Sequence, residues 1–367
     1  MFFESPTLVR MGVEESASQA LRNCTRIALL AAALPLAAAF APPALGTQLL
    51  DSAGVVEVRA KPSDARGTVQ RLALRKSKRV IAGYAPRSAY QRPSVGQASG
   101  LRRTPDSLDL KSSAALVVDQ ETNQVLFSKN ADAVLPIASL TKLMTAVVIA
   151  ESKLPMDELI AVTQDDVDTE KGSRSRLKVG TQLTRADMLH LALMASENRA
   201  AHTLGRTFPG GSEAFVASMN AKAGALGMRD TLFVESTGLS SRNRSSAQDL
   251  ATLARAAMQH PLIRDMSVSP RHEVEVGRRS LRFHNTNRLV QRADWEIGLQ
   301  KTGYISEAGR CLVMQATLAG RSLIMVFLDS AGKHSRLGDA ERVRRWVSES
   351  APAPATPSLA GGNALTS

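Results

Sequence analysis

The sequence is poor in the residues that support metal and disulfide chemistry. Cysteine occurs twice, at Cys24 and Cys311, and six histidines are scattered along the 367 residues. The stretch HEVEV at His272 lacks the second histidine that a zinc-protease helix needs. We therefore expect no metal site and no cofactor. We also expect no intramolecular disulfide if Cys24 is removed during maturation.

Aromatic residues are also scarce, at 4% of the chain, whereas hydrophobic residues of all kinds make up 44%. The core must therefore be built from Ala, Leu, Val, Ile and Met. A chain of this length can form one large domain or two modest ones, each with its own core.

Lysine and arginine outnumber aspartate and glutamate, so the formal net charge is +12 at pH 7. Such an excess usually points to a polyanionic partner. The sequence contains no zinc-finger spacing, no aromatic RNA-binding run and no basic region leading into heptads, so we expect no nucleic-acid partner. The excess is concentrated between residues 59 and 103, which suggests a basic linker that could contact an anionic polymer of the cell envelope.

Long apolar runs are missing except near the N-terminus. Residues 22–41 read RNCTRIALLAAALPLAAAFA, with two arginines before the apolar stretch and small residues at its end. This pattern is typical of an export signal, although a retained membrane anchor is the alternative. We predict that residues 1–46 are a signal peptide cut after Ala41 or near Gly46. The mature protein is then expected in the periplasm, soluble or loosely associated with the membrane.

Three further segments follow the predicted signal. Residues 47–106 are rich in Arg, Ser, Gly, Pro and Ala without periodicity, and we predict a basic disordered linker. Residues 107–348 have an ordinary composition and form the predicted domain. Residues 349–367 read as a disordered tail of Pro, Ala and Gly.

The domain begins and ends with strand patterns and has helical patterns between them. Residues 112–131 give two apolar runs around a polar turn, and residues 310–330 give two more, joined at Ala319–Gly320. Helical periodicity starts at Leu140, after Thr184 and in the stretch SAQDLATLARAAM, and a last amphipathic helix covers DAERVRRWVSE. The predicted fold class is α+β, with an antiparallel sheet flanked by helices.

The first helix opens with an unusual pair, because PIASLTKLMTAVV contains Ser139 and Lys142 in an otherwise apolar run. Residues three apart are neighbours on one helix face. A serine hydroxyl needs an adjacent base to act as a nucleophile, and a lysine can be that base only if burial or a second cation lowers its pKa. The alternative is a helix-capping serine beside a surface lysine.

Two other short motifs follow at the edges of predicted elements. The first is Ser196–Glu197–Asn198, after an apolar run, and the second is Lys301–Thr302–Gly303, before an apolar strand. Each is common by itself. In the order S-x-x-K, S-x-N, K-T-G, however, they resemble the active-site serine enzymes that bind penicillin.

The wider sequence is similar to the low-molecular-weight penicillin-binding proteins. Five blocks match in order: VLPIASLTKLMTA, LMASENRAA, ESTGLSSRN, SSAQDLATLAR and KTGYISEAGRCLVM. The resemblance as a whole covers about residues 113–346. The similarity is greatest to the D-alanyl-D-alanine endopeptidase branch of the D-alanyl-D-alanine carboxypeptidase family. It implies the transpeptidase fold shared by penicillin-binding proteins and β-lactamases.

The resemblance also implies roles for the polar residues of the motifs. Ser139 attacks the carbonyl carbon of a D-amino acid and forms an acyl-enzyme, while Lys142 takes the hydroxyl proton. Ser196 relays a proton to the leaving amine, and Lys301 keeps the local field positive. Asn198 orients the amide of the substrate.

The strand that carries the third motif is expected to bind the substrate. Thr302 and Lys301 hold the terminal carboxylate, and Gly303 lets the strand approach the substrate backbone. The backbone N–H groups of Ser139 and Tyr304 form the oxyanion hole. The implied partners are peptidoglycan peptides, with β-lactam antibiotics as covalent inhibitors.

Several alternatives remain open. Endopeptidase cleavage of D-Ala–diaminopimelate cross-links is preferred over carboxypeptidase trimming, because relatives of the second kind usually continue into a β-rich domain and a C-terminal anchor. A class A-like β-lactamase is less consistent, since Glu235 lies in ESTGL rather than E-x-x-L-N. A non-catalytic wall-binding module is the last alternative.

Three other residues could be taken for functional ones. His202 is predicted to be structural, because a Ser–Lys mechanism gives it no role. Arg310 either pairs with a substrate carboxylate or braces a strand. Cys311 is predicted to be a small core residue.

Overall fold

The computed structural model describes residues 92–350, so the predicted signal peptide, most of the predicted linker and the tail lie outside the described residues. Within residues 92–350, no helix is long and apolar enough to cross a membrane.

The described chain contains eleven strands and eight α-helices. The strands are β1 (Ala114–Asp119), β2 (Val125–Lys129), β3 (Leu135–Pro136), β4 (Leu159–Ala161), β5 (Gln182–Thr184), β6 (Arg244–Ser245), β7 (Arg271–Val276), β8 (Arg279–His284), β9 (Glu296–Ile305), β10 (Gly309–Leu318) and β11 (Arg321–Ser330). The helices are α1 (Val95–Ala98), α2 (Thr141–Glu151), α3 (Arg185–Met194), α4 (Asn198–Arg206), α5 (Gly211–Ala225), α6 (Ala247–Met258), α7 (Pro261–Val268) and α8 (Ser335–Ser350).

The main sheet has five antiparallel strands in the order β2-β1-β11-β10-β9. Both predicted hairpins are confirmed. The β10–β11 hairpin closes through Ala319 and Gly320, which have φ angles of 48° and 76°. Left-handed angles at both central residues suit a two-residue turn. In this sheet, β9 pairs only with β10, so its other edge is open towards the helices.

Each face of the sheet packs against its own hydrophobic core. Along β1, Leu116 and Val118 join the core shared with α2 to α7, whereas Val117 joins the core shared with α8. Strand side chains alternate between the two faces, which explains why β1 is buried at every position. The predicted antiparallel sheet flanked by helices is confirmed.

The helix starts follow local sequence signals. At α3, the Thr184 hydroxyl accepts a hydrogen bond from the N–H of Asp187, at 3.0 Å. At α6, the Ser246 hydroxyl accepts one from the N–H of Asp249, at 3.2 Å. Such side-chain caps satisfy donors that the first helical turn leaves free.

The folded domain begins earlier than the predicted boundary at residue 107. The N–H of Val95, in α1, donates to the carbonyl of Glu307 at 2.9 Å, and Arg102 bonds to Asp329 at 3.2 Å. A Cβ on Gly96 would lie 2.6 Å from a carboxylate oxygen of Asp329, so a larger residue there would displace that carboxylate. The prediction of a disordered linker is therefore wrong for residues 92–106. Contacts remote in sequence hold this segment, and such contacts produce no local periodicity.

Candidate active site

Ser139 lies in a short 3-10 turn, Ala138–Leu140, that leads directly into α2. The φ angle of Ala138 is 48°, a left-handed conformation that costs energy for a residue with a side chain. Gly238 packs against this turn so closely that a Cβ would lie 1.9 Å from the Ala138 carbonyl oxygen. The turn leaves the Ser139 side chain half-buried at the start of the helix.

Lys142 is fully buried one turn further on, which rules out the alternative of a surface lysine. Its Nζ lies 3.0 Å from Ser139 Oγ, 2.7 Å from Asn198 Oδ1 and 2.5 Å from the Thr237 carbonyl oxygen. Burial lowers the pKa of Lys142 to about 8, against the opposing negative charges of Glu235 and Glu197. The lysine is therefore poised to lose a proton near neutral pH.

The second motif occupies the break between α3 and α4. Ser196 has a φ angle of 59°, and this left-handed residue separates Met194, the last of α3, from Asn198, the first of α4. The side chain of Asn198 joins two parts of the site. Its Oδ1 accepts a hydrogen bond from Lys142, and its Nδ2 donates to Ser173 Oγ at 3.0 Å.

Lys301 comes from β9 and is also fully buried. Its Nζ donates to Ser196 Oγ at 2.9 Å and to the Thr302 carbonyl at 2.9 Å. Burial holds the pKa of Lys301 well below its usual value, and the charges of Lys142 and Arg336 act in the same direction. Two hydroxyl–lysine pairs thus lie close enough for their charges to interact, Ser139 with Lys142 and Ser196 with Lys301.

The rest of the third motif borders the Ser139 turn. A Cβ on Gly303 would lie 3.0 Å from the Ile137 carbonyl oxygen and 3.1 Å from Ser139 N, so the strand and the turn are in close contact. The Thr302 hydroxyl is 2.7 Å from that of Thr286. The next residue of the strand, Tyr304, has a side chain that is 51% exposed. The structure therefore brings together all eight residues that the sequence nominated.

Three further groups join the site without having been predicted. Arg336, in α8, is 9% exposed and donates to the Gly303 carbonyl at 3.2 Å, and burial lowers the pKa of Arg336 to about 10. Thr286 contacts Thr302, and the Thr237 carbonyl contacts Lys142. Only ESTGLSSRN, one of the five blocks that resemble the family, pointed to the Thr237 loop, and no sequence signal marked Arg336 or Thr286.

The carboxylate of Glu235 organises that loop. It accepts hydrogen bonds from the Thr237 N–H at 2.5 Å, the Gly238 N–H at 2.6 Å and Asn243 Nδ2 at 2.8 Å. A carboxylate engaged in this way supports the turn that presents the Thr237 carbonyl to Lys142. This arrangement does not suit a general base that activates water.

The structural interpretation of His202 and Cys311 is supported by their contacts. His202 Nδ1 lies 2.6 Å from Asp166 Oδ1, and Arg206 contacts the same carboxylate at 2.9 Å. Cys311 is a fully buried free cysteine. Within residues 92–350, His, Cys, Asp and Glu side chains form no group of three or more that could hold a metal ion.

This arrangement is able to perform nucleophilic acyl transfer. A half-buried hydroxyl lies beside a buried lysine with a lowered pKa, and a second hydroxyl–lysine pair is available for a second proton transfer. The fold and the site are those of a serine enzyme in which a buried lysine lies beside the candidate nucleophile.

Comparison with known proteins identifies the family. Residues 101–332 match peptidase family S11, the D-alanyl-D-alanine carboxypeptidases, and the chain belongs to this family. A D-alanyl-D-alanine endopeptidase of Pseudomonas aeruginosa is 49% identical over 66% of this chain and 79% of its own length. One from Escherichia coli is 44% identical over 66% of this chain and 79% of its own length. The crystal structure of the Streptomyces K15 DD-transpeptidase superimposes with a TM-score of 0.61 at 27% identity, covering 65% of this chain and 97% of that one.

Proposed function

We propose that the protein is a serine D,D-peptidase that hydrolyses peptidoglycan stem peptides through an acyl-enzyme on Ser139. The observation that carries this proposal is the contact of Ser139 Oγ with the buried Nζ of Lys142, at 3.0 Å. Membership of the S11 family and the two endopeptidase relatives support the same reaction.

The surroundings of Lys142 support its role as the base. Two of its three oxygen neighbours, Asn198 Oδ1 and the Thr237 carbonyl, can only accept hydrogen bonds. A neutral amine has two N–H donors for these two acceptors, which leaves its lone pair for the hydroxyl hydrogen of Ser139. Loss of that proton to Lys142 lets Ser139 Oγ attack the substrate carbonyl.

The oxyanion forms where β9 borders the Ser139 turn. We assign the two donors to the backbone N–H groups of Ser139 and Tyr304, on either side of the Gly303 contact. One such donor contributes on the order of 10²–10³ in rate, so the spacing of the strand from the turn matters for catalysis.

The second hydroxyl–lysine pair serves the leaving amine. Ser196 donates a proton to this amine and is resupplied through Lys301, at 2.9 Å. The charge of Lys142 lowers the pKa of Lys301, so protonation of one buried lysine disfavours protonation of the other. Asn198 holds the substrate amide, and Thr302 with Lys301 binds its carboxylate. Water then releases the acyl group from Ser139.

Endopeptidase cleavage of D-Ala–diaminopimelate cross-links is the preferred specificity. The two relatives at 49% and 44% identity carry the endopeptidase name, and carboxypeptidase trimming is the second candidate because the family as a whole carries that name. Penicillin resembles the acyl-D-Ala-D-Ala end and is expected to acylate the same serine.

Digestion of purified muropeptides tests the proposal. Wild type should convert cross-linked dimers to monomers faster than it trims pentapeptides to tetrapeptides, and Ser139→Ala should do neither. Trimming without dimer cleavage would instead indicate the carboxypeptidase, and equal inertness of both proteins would favour a non-catalytic wall-binding module.

The site of action that fits this substrate is the periplasm. The charged and apolar pattern of residues 22–41 supports export, and the basic stretch between residues 59 and 103 supports contact with an anionic envelope polymer. Sequencing the N-terminus of the protein recovered from the periplasm tests the first point. Salt-dependent co-sedimentation with anionic wall polymer tests the second.

A further inference from the structure

Thr286 contacts the third motif but has no role in the mechanism above. It lies in the loop between β8 and a 3-10 turn, Arg288–Gln291, outside the five blocks that resemble the family. Its Oγ1 is 2.7 Å from that of Thr302, which is proposed to bind the substrate carboxylate together with Lys301. A hydroxyl this close to the carboxylate site is able to affect how that site binds.

The loop holds Thr286 between two buried asparagines. Asn285 is 6% exposed, its Nδ2 donates to the Ser267 carbonyl at 2.9 Å, and its Oδ1 accepts from Gln300 Nε2 at 2.9 Å. Asn287 is fully buried, and its N–H donates to the same Oδ1 of Asn285 at 2.9 Å. Because Gln300 directly precedes the K-T-G motif in β9, these bonds tie the loop to the strand.

The backbone of Thr286 also reaches the second motif. Its N–H donates to the carbonyl of Met194 at 3.0 Å. Met194 is the last residue of α3 and lies two residues before Ser196. Thr286 therefore connects the break that carries Ser196 with the strand that carries Thr302.

The contacts of the two hydroxyls indicate which one donates. The other acceptor near Thr286 Oγ1 is the Met194 carbonyl, but it is 3.4 Å away, beyond the roughly 2.5–3.0 Å of an ordinary O–H···O bond. The hydrogen of Thr286 is therefore better placed on Thr302 Oγ1. Thr302 is 3% exposed, and within residues 92–350 its hydroxyl bonds only to Thr286. Its own hydrogen is then free for a ligand.

We propose that Thr286 is a positioning residue of the carboxylate site, because its hydroxyl donates to Thr302 and so directs the Thr302 hydrogen towards the substrate carboxylate. This inference rests on the proposed function. A carboxylate only accepts hydrogen bonds, so it needs Thr302 as a donor. In a chain of two hydroxyls each bond polarises the next, so donation by Thr286 also strengthens the bond from Thr302 to the carboxylate.

The test compares penicillin G, which carries a carboxylate, with its methyl ester, in which that group is neutral and a weaker acceptor. For each protein, the second-order rate constant for acylation of Ser139 is measured with both compounds by mass spectrometry. The ratio of the two constants, acid over ester, reports recognition of the carboxylate. Since both compounds react with the same preparation, this ratio is independent of the fraction of protein that is folded.

Thr286→Val keeps the branched shape of the side chain and removes its hydroxyl. We expect the ratio to fall about three- to tenfold, the range expected for loss of one hydrogen bond. Thr286→Ser keeps the hydroxyl and should keep the ratio within about twofold of wild type. Thr252→Val is the control, because it removes a hydroxyl that bonds within α6, to the Gln248 carbonyl, and it should leave the ratio unchanged.

A double-mutant cycle with Thr302→Val tests whether Thr286 acts through Thr302. If it does, Thr286→Val/Thr302→Val should have the same ratio as Thr302→Val alone, because the second change removes nothing further. A double variant in which the two losses multiply would show that Thr286 acts independently, and it would overturn the positioning role.

The role is also overturned if Thr286→Val keeps the wild-type ratio, or if Thr286→Ser loses as much as Thr286→Val. In both cases acylation of wild type by penicillin G leaves the peptidase proposal intact. A wild type that penicillin G does not acylate would overturn the proposed function and this inference with it.

Discussion

At the scale of single residues, the site depends on two lysines placed where charge is costly. Lys142 and Lys301 are fully buried, and each contacts the hydroxyl of a different serine, Ser139 or Ser196. Burial alone disfavours the protonated form of a lysine, and a second lysine nearby adds to the effect. Burial of these two lysines lowers the stability of the domain, but it favours the neutral amine that the proposed reaction needs.

The pH dependence of acylation follows from the lysine beside the nucleophile. The pKa of Lys142 is lowered to about 8, so below that pH its lone pair is occupied by a proton. We predict that the rate of penicillin acylation rises about tenfold per pH unit below pH 8 and levels off above it. Stopped-flow acylation between pH 6 and 10 measures the profile.

Lys142→Arg is the matched control for that profile. An arginine keeps the positive charge but retains its proton throughout this range, so acylation should be lost at every pH. A flat wild-type profile, or an arginine variant that acylates normally, would contradict the assignment of Lys142 as the base.

Residue identity was the part of the site best predicted from the sequence. Ser139, Lys142, Ser196, Asn198 and Lys301 were all nominated from short motifs, because the order of these motifs resembles that of the active-site serine enzymes that bind penicillin. Arg336 could not be found in this way. It reaches Gly303 from the last helix, and a lone arginine in an amphipathic helix has no local signature.

At the scale of elements, the site depends on a close approach between the Ser139 turn and β9. The approach is set by Gly303, where a Cβ would lie 3.0 Å from the Ile137 carbonyl and 3.1 Å from Ser139 N. Both contacts are tight rather than impossible. A side chain here would push the strand and the turn apart by a fraction of an ångström.

We predict that Gly303→Ala slows penicillin acylation by about 10–100-fold while the protein remains folded. Displacements of this size misalign the nucleophile and the oxyanion donors, and 1 Å can cost about 10²-fold. Acylation kinetics and urea denaturation of the same preparation separate the two effects.

Gly224→Ala serves as the control substitution. This glycine lies in α5, and an added Cβ would have open space around it. Alanine favours the helix by up to about 1 kcal/mol, so stability should rise slightly while acylation stays at the wild-type rate. An unchanged rate in Gly303→Ala would show that the close approach is not required.

The two hairpins and four of the helices were predicted in their order along the chain, but α4, α5, α7 and the short strands between β2 and β9 were not, and neither was the arrangement of the elements. The hairpins of β1–β2 and β10–β11 follow from apolar runs and turn residues. The strand order β2-β1-β11-β10-β9 brings the last strands beside the first, and the pairing of β1 with β11 joins residues about 200 positions apart. No local pattern specifies such a pairing.

At the scale of the whole domain, one sheet separates two cores. Helices α2 to α7 bury one face and α8 buries the other, and β11 contributes alternate residues to both. Arg336 lies in α8 and yet reaches the candidate active site through Gly303. The two faces are thus joined through the sheet and through the site.

We predict that the two cores unfold together. Leu189→Ala, on the face of α3, should lower the free energy of unfolding by about 2–5 kcal/mol, since leucine-to-alanine changes in a core create a cavity. Trp295 and Trp346, the two tryptophans of the chain, both belong to the α8 face. Their fluorescence reports the opposite core.

If the domain is cooperative, the urea unfolding curves of Leu189→Ala measured by tryptophan fluorescence and by far-ultraviolet circular dichroism have the same midpoint. This midpoint is lower than that of wild type. Phe327→Ala, in the α8-face core, is the reciprocal variant and should also give coincident transitions. Two separate midpoints in either variant would contradict coupling across the sheet.

The central claim is that Ser139 is the nucleophile, activated by the contact with Lys142. Intact-protein mass spectrometry after incubation with penicillin G tests it most directly. We expect that wild type gains the mass of one penicillin, that the modified peptide contains Ser139, and that folded Ser139→Ala gains nothing. A Ser139→Ala protein that still carries a covalent penicillin would contradict the assignment.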